Sequence, residues 1–345
     1  MNDPTRVLIF TGAGAGVPLG LPTSTGFAAE VTADAAMVTQ CAIGFLQGTS
    51  AKDIEWILAT LEAFQGERSF IETLLPRFIS GPPATAGALA QMKSGLAQYR
   101  SDARSEIKRI KKILFDKLGR YDHKKAAVLY RGLLGELKVR YPSFALSMIT
   151  TNYDLTFENT LEEEGEDAWK EFGISDVDFG FSIRFGKSIY DPKSDFAWKP
   201  EIMEFLKIHG SLDWHRDEMR QCVRSGSRTV PDNPDQMAIL YPGFKGVPEE
   251  KPFSSLHVRL GTRLTQADVV FVLGFAFRDA YINSIFENVV RTRTDLPVYY
   301  FNPLPLHEHP KGESLVPRLA EFPNFKHIEK PVEATDTPLG LASLF

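Results

Sequence analysis

Residues 7–27 read Val7-Leu-Ile-Phe-Thr-Gly-Ala-Gly-Ala-Gly-Val-Pro-Leu-Gly-Leu-Pro-Thr-Ser-Thr-Gly-Phe27. Val7 to Phe10 is a short apolar run with turn residues directly after it, the pattern of a strand buried on both faces. Gly12, Gly14, Gly16 and Gly20 then fall within nine positions. Glycine permits positive φ in a tight turn, and its missing Cβ lets another group approach the backbone. A glycine-rich turn between a strand and a helix presents backbone N–H groups to an anion, most often a phosphate. Gly12-Ala-Gly14-Ala-Gly16 opens like a dinucleotide fingerprint, but its third, helix-packing glycine would fall at Val17. No Gly-Lys-Ser/Thr follows, so this is not a Walker-type loop. Taken alone, the stretch also reads as a tight strand-to-helix turn with no ligand.

The rest of the chain sets the scale. With 345 residues, 43 % of them hydrophobic and 11 % aromatic, there is material for one large domain or two coupled ones. A net charge of −5 argues against direct nucleic-acid binding, which draws its affinity from neutralised phosphates. Two cysteines, Cys41 and Cys222, exclude a multi-bridge scaffold and any four-cysteine zinc site. They fit a reducing compartment, and neither a secretory leader nor a membrane-spanning run is visible; the expectation is a cytoplasmic protein with no membrane association.

After the glycine loop, helical patterns dominate for over a hundred residues. Ile54, Ile57, Leu58 and Leu61 form an amphipathic stripe, with Ser50 and Asp53 as candidate caps. Phe70, Ile71, Leu74 and Leu75 continue it until Gly81-Pro82-Pro83 interrupts. A basic stretch follows: Arg104, Lys108, Arg109, Lys111, Lys112, Lys117, Arg120, Lys124 and Lys125, diluted by Glu106, Asp116 and Asp122. Ile107, Ile110, Leu114 and Leu118 give it an apolar side, and a solvated helix face is the reading preferred over a docking surface. Strand patterns then resume at 145–150, 205–208, 237–241, 269–273 and 297–301, with an irregular excursion expected over 155–200. Nearly every strand pattern ends in a polar residue or a glycine. Ligands of open α/β sheets bind outside the carboxyl ends of the strands, so Gly12, Asn152, His209, Gly274 and Asn302 are expected to line one crevice. His209 closes a strand before Gly-Ser and is expected at the crevice mouth. His215 and His257 are read as structural, Asp279 as a helix cap, and His307 with His309 as surface residues.

Four motifs in order resemble the sirtuins. Gly12-Ala13-Gly14-Ala15 with Gly20-Leu21-Pro22 is similar to their Gly-Ala-Gly-Ala-Ser and Gly-Ile-Pro. Thr151-Asn152-Tyr153-Asp154 is similar to their Gln-Asn-Ile-Asp, and His209-Gly210-Ser211 to their His-Gly. Gly274 to Arg278, then Asn302, resemble their Gly-Thr-Ser and terminal Ile-Asn. The resemblance implies a Rossmann-like α/β fold, a parallel sheet with helices on both faces plus a large helical insertion. It divides the chain into a core of residues 1–27 and 141–303, an insertion of 28–140, and a tail of 304–345 packing on the core. It implies that Asn152 positions water or the nicotinamide ribose, that Asp154 orients the cofactor, and that His209 acts as base. Gly12, Ala13, Gly14, Ala15, Pro22, Thr151, Gly274, Phe275 and Asn302 would bind NAD.

The sequence departs from deacylating sirtuins at two places. The interval 212–236 holds only Cys222, so the zinc ribbon is absent, and Leu21-Pro22-Thr-Ser-Thr lacks the arginine of Gly-Ile-Pro-Asp-Phe-Arg. That profile resembles the bacterial sirtuin-like proteins of anti-phage defence, which hydrolyse NAD to nicotinamide and ADP-ribose. The expectation is therefore an NAD glycohydrolase that uses NAD as substrate and needs no zinc. The resemblance further implies a homo-oligomer and a separate partner such as a HerA-type ATPase or an Argonaute-like protein. The rival functions are an NAD-dependent deacylase, an ADP-ribosyltransferase and a non-catalytic NAD or ADP-ribose binder.

Overall fold

The computed structural model describes residues 3–33, 36–45, 53–65, 86–165, 167–184, 187–191, 197–219, 221–225, 236–240, 248–309 and 314–344. Ser50, the 70–75 stripe, Gly81-Pro82-Pro83 and Tyr241 lie outside them. The chain divides into two compact units: residues 1–23, 118–240 and 246–345, and residues 24–117 with 241–245.

The first unit is a Rossmann-like α/β fold. Its sheet has seven parallel strands in the order β12-β11-β10-β1-β2-β6-β3. They are β1 (Thr5–Thr11), β2 (Phe144–Thr150), β3 (Asp176–Asp178), β6 (Ile202–Lys207), β10 (Val269–Leu273), β11 (Val298–Phe301) and β12 (Phe325–Ile328). Strand alternation gives each face its own core. Leu8, Phe10, Ile149, Leu206, Val270 and Val272 face helices α8 (Phe253–Gln266) and α9 (Ala280–Thr292). Val7, Ile9, Met148, Phe205, Phe271 and Leu273 face α5 (His123–Arg140) and α6 (Thr156–Glu164). The central strands carry long apolar runs because both faces are covered, with Ser147, Glu204 and Lys207 among the buried polar exceptions.

The sequence pattern missed the two edge strands, β3 and β12. It also placed 237–241 in the parallel sheet. β9 (Met237–Ile239) instead pairs antiparallel with β7 (Gly210–Arg216). They belong to a second sheet, β4-β5-β8-β7-β9, with β4 (Phe181–Arg184), β5 (Lys187–Tyr190) and β8 (Cys222–Arg224). The excursion at 155–200 thus contains regular structure. Its strands are three or four residues long, too short for a period-2 pattern to show.

One buried charge ties α8 to the sheet. Glu204 in β6 accepts from Arg263 Nε at 2.7 Å, Arg259 Nε at 2.6 Å and Ser147 Oγ at 2.6 Å. Burial pushes its pKa up, but Arg263 and Arg259 overcome this and hold it below the ordinary carboxylate value. A second ties residues 339–341 to α5. Both Glu136 oxygens accept backbone N–H groups, from Leu339 at 2.7 Å and Leu341 at 2.8 Å. Val332, Leu339 and Leu341 join the α5-side core.

The second unit is helical: α1 (Ser24–Ala33), α2 (Met37–Phe45), α3 (Ile54–Gln65) and most of α4 (Ala86–Leu118). Ile54, Ile57, Leu58 and Leu61 are buried, as are Ile107, Ile110 and Leu114 of α4. Arg104, Lys108 and Lys112 lie on the exposed side of α4, while Lys111 is buried near Glu62 at 3.9 Å and Arg109 holds Glu106 at 2.9 Å. Among the described residues, no helix is long and apolar enough to cross a membrane.

Replacing Glu136 by Ala leaves two buried N–H groups without their acceptor. The expected cost is about 1–3 kcal/mol in urea unfolding, with protease sensitivity rising around residues 332–341. A stability equal to wild type would show that the tail contact is not formed in solution.

Candidate functional site

Five adjacent strands of the parallel sheet end on the same edge. Gly274 follows β10, Asn302 follows β11, Gly12 follows β1, Asn152 follows β2, and His209 lies just past β6. From β1 the chain moves outward through β2 to the edge strand β3, comes back to fill in β6, then crosses to the other side for β10, β11 and β12. Strand order therefore reverses between β1 and β10, the position at which such sheets bind ligands.

At that reversal the backbone of the glycine loop meets the backbone after β10. Gly14 N–H donates to Gly274 O at 2.9 Å, and Gly12 N–H to Leu273 O at 3.0 Å. A Cβ on Gly12 would lie 2.8 Å from Phe275 Cα, and one on Gly14 2.8 Å from Gly274 O. Gly274 has φ +59, and a Cβ there would overlap Ala15 N and Gly14. The sequence argument for these glycines is corrected here: the N–H groups of Gly12, Gly14 and Ala15 already have carbonyl partners, so they do not point at an anion. The glycines serve the contact between two loops. The chain then continues as a 3-10 turn, Ala13–Leu19, closed by Gly20 at φ 87. Ala13, Gly14 and Pro22 are half-buried and Ala15 is buried.

Asn152 sits on this loop. Its Nδ2 donates to Gly12 O at 3.2 Å, and its N–H is held by Thr150 Oγ1 at 3.0 Å. Thr151 N–H donates to Thr11 O at 3.0 Å. Asp154 is buried, and its Oδ1 accepts from Thr156 N at 3.0 Å and Thr156 Oγ1 at 2.6 Å, which starts α6. Beneath it lies Lys207, which the sequence reading did not select. Its Nζ donates to the Asp154 carbonyl and to Ser211 Oγ at 3.0 Å, and pairs with Glu158 Oε1 at 2.8 Å. Lys207 and Glu158 side chains are each 3 % exposed. Burial pushes Glu158 above the ordinary carboxylate value, and Lys207 opposes the shift. One ammonium thus joins the Thr-Asn-Tyr-Asp loop to the His-Gly-Ser turn. A lysine inside the apolar run Phe205-Leu-Lys-Ile208 was the available signal, since lysine is almost never fully buried unless paired. A cavity of about 30 Å³ lies here, lined among others by Thr11, Asn152, Asp154, Thr156, Lys207 and Val332. That is room for a water molecule with polar partners.

His209 is 1 % exposed, so it is not at the mouth the sequence suggested. Its Nε2 lies 3.2 Å from Asp279 Oδ2, an ion-pair distance without hydrogen-bond alignment. Its ring stacks on His257 at 5.8 Å and 25°. Asp279 does cap α9: its Oδ1 accepts from Tyr281 N and Ile282 N, both at 2.9 Å. Burial raises the Asp279 pKa, but His209 and the Ile282 N–H hold it below the usual carboxylate range. His257, expected to be structural, donates from Nδ1 to Phe253 O at 2.8 Å and is pushed down to about 4 by burial, with His209 adding to the shift.

Asn302 and Phe275 have internal partners. Asn302 Nδ2 donates to Tyr300 OH at 2.7 Å, and its Oδ1 accepts from Leu304 N at 2.9 Å. The Phe275 ring packs edge-on against Phe10 at 4.9 Å and Phe277 at 5.0 Å. His309 is buried against His327 at 5.6 Å, whereas the His307 side chain is 82 % exposed. The row of strand ends therefore brings the five predicted positions onto one edge, and Asn152 with the glycine loop into direct contact.

Residues 146–316 match the SIR2-like domain family. This segment holds Asn152, Asp154, His209, Gly274 and Asn302. Two similar solved structures are a mutant Sir2 homologue with 2′-O-acetyl ADP-ribose and a Sir2 homologue–NAD complex. The first is 13 % identical with a TM-score of 0.48, covering 98 % of this chain and 91 % of that one. The second is 14 % identical with a TM-score of 0.47, covering 98 % and 88 %. No curated protein matches the sequence.

Gly274→Ala is expected to destabilise the protein by at least roughly 1–3 kcal/mol, from backbone strain alone, as measured by urea unfolding. Lys207→Met strands the Glu158 carboxylate and should cost about 3–5 kcal/mol at neutral pH. The folded state binds the Glu158 proton more tightly than the unfolded chain, so stability falls as pH rises through the raised folded value. The variant should show that fall more steeply than wild type. A flat stability profile from mildly acidic to neutral pH in both proteins would contradict the pairing.

Proposed function

We propose that this chain cleaves the nicotinamide–ribose bond of NAD, releasing nicotinamide and ADP-ribose. The observation that carries the reading is the Asn152 amide seated on the glycine-loop carbonyl. The contact lies beside the reversal in strand order, and Asn152 itself falls within the SIR2-like match. NAD would lie along the strand ends past Gly12, Ala13, Gly14, Ala15, Pro22, Thr151, Gly274, Phe275 and Asn302.

In the reaction, the C1′–N bond breaks and its electron pair leaves with nicotinamide. Positive charge develops on the ribose, and the carboxylate of Asp154 favours it electrostatically. A water held near Asn152 adds its oxygen to C1′, and His209 takes the proton. No metal takes part in this scheme.

Such an activity drains a cell of NAD, which suits an abortive anti-phage effector. We place control in self-assembly and in a separate partner of the HerA-type ATPase or Argonaute-like kind. One observation favours a second reading, NAD or ADP-ribose binding without turnover: both ring nitrogens of His209 are shut off from solvent.

Chromatography of nicotinamide released by purified protein separates the two. Wild type should release it, while Asn152→Ala and His209→Ala should each lose roughly a hundredfold or more. Binding of NAD with no release, with or without added partner, would favour the binder. Turnover of an acetylated peptide would instead reveal a deacylase.

A further inference from the structure

Asp279 serves two neighbours with its two oxygens. Oδ1 is held by the Tyr281 and Ile282 N–H groups at the start of α9, and Oδ2 faces His209 Nε2 at 3.2 Å. The side chains of Asp279 and His209 are 10 % and 2 % exposed. The carboxylate cannot turn away from His209 without uncapping a helix of 13 residues. A fixed anion selects a tautomer. An N–H facing it is attracted, whereas a lone pair facing it is repelled. A neutral imidazole in this setting would carry its hydrogen on Nε2. Neither ring nitrogen has a hydrogen-bond partner among the described residues; Nε2 is the one that faces the carboxylate, at 3.2 Å, and no charged group among them is set against Nδ1.

The other groups around this ring do not compete for that role. His257 stacks on it, and burial and His209 keep His257 neutral at pH 7. The Tyr281 ring stands behind His257 at 5.4 Å. Lys207, two residues before His209, is engaged by Glu158, Ser211 and the Asp154 carbonyl. Asp279 is thus the anion set against His209 among the described residues.

We propose that Asp279 is the positioning residue of His209: the α9 cap holds its carboxylate against Nε2, so that Nδ1 is the atom that takes the proton of the attacking water. The proposal rests on the hydrolase reading. In that step the water oxygen bonds to C1′, its proton moves to Nδ1, and the glycosidic electron pair departs with nicotinamide. Asp279 keeps its charge throughout and stabilises the imidazolium that forms.

The test uses Asp279→Asn and Asp279→Ser, both of which still offer an N-cap oxygen to α9. Neither carries the charge, and serine is too short to reach His209. Two measurements are made on each full-length protein: nicotinamide release from about pH 5 to 9, and ¹⁵N imidazole spectra, with His209→Gln to assign the signal. Wild type should show the Nε2–H tautomer. Both variants should keep a thermal midpoint within a few degrees of wild type and lose roughly tenfold or more in kcat, with KM little changed. The acid limb of their rate profile should move to lower pH, because the anion that favours the imidazolium is gone. Wild-type kcat and pH profile in Asp279→Ser would overturn the proposal, as would an Nδ1–H tautomer in wild type. If wild type releases no nicotinamide with or without added partner, the hydrolase reading fails by itself. The spectrum then still decides whether Asp279 sets the tautomer.

Discussion

Everything at the candidate site depends on backbone lying directly on backbone. The loop after β1 and the loop after β10 approach so closely that neither Gly12, Gly14 nor Gly274 has room for a Cβ. This contact fixes the two central strand ends relative to each other where the strand order reverses. It also leaves the Gly12 carbonyl facing the β2 loop, where the Asn152 amide takes it. A larger residue at any of these three positions would disturb the loop contact and Asn152 together. The glycine loop is thus the base of the site as well as one of its walls.

Charge is organised around that base in a dry setting. Lys207, Glu158 and Glu204 are nearly inaccessible, and each is stable only because a partner meets it at hydrogen-bond distance. Replacing such pairs by apolar residues often costs a protein nothing, so their presence is weak evidence for stability. Their placement has a different consequence. Lys207 reaches the Asp154 carbonyl and Ser211, which belong to the two motif segments after β2 and β6. It couples the position of one segment to that of the other.

The sheet and the strand-end row were legible in the sequence because the central strands are covered on both faces. Complete burial writes itself as an unbroken apolar run, as in Val7–Phe10 and Val269–Leu273. The strands of the second sheet carried no such signal: four of the five are three or four residues long, and the three residues of β9 do not show which sheet they join. At the site, residue types were readable but their surroundings were not. His209 was found from its place at a strand end. That it is buried, stacked on His257 and held by Asp279 depends on α8 and α9 crossing from distant parts of the chain. The meaning of the glycines was likewise hidden, since the partner that excludes a Cβ from Gly12 lies over 260 residues away.

The clasp between Glu136 and residues 339–341 bears on how the molecule comes into being during translation. Its partners are 203 and 205 residues apart, and Val332 lines the cavity beside Asn152 and Lys207. A growing chain exposes α5 and the Asn152 loop long before these residues are made. The α5 side of the sheet therefore stays unfinished until about 200 further residues have been made, and it closes in a long-range step. Synthesis of residues 332–341 and completion of the pocket wall are therefore coupled. That ordering keeps a chain that still lacks residues 332–341 from presenting a finished pocket wall.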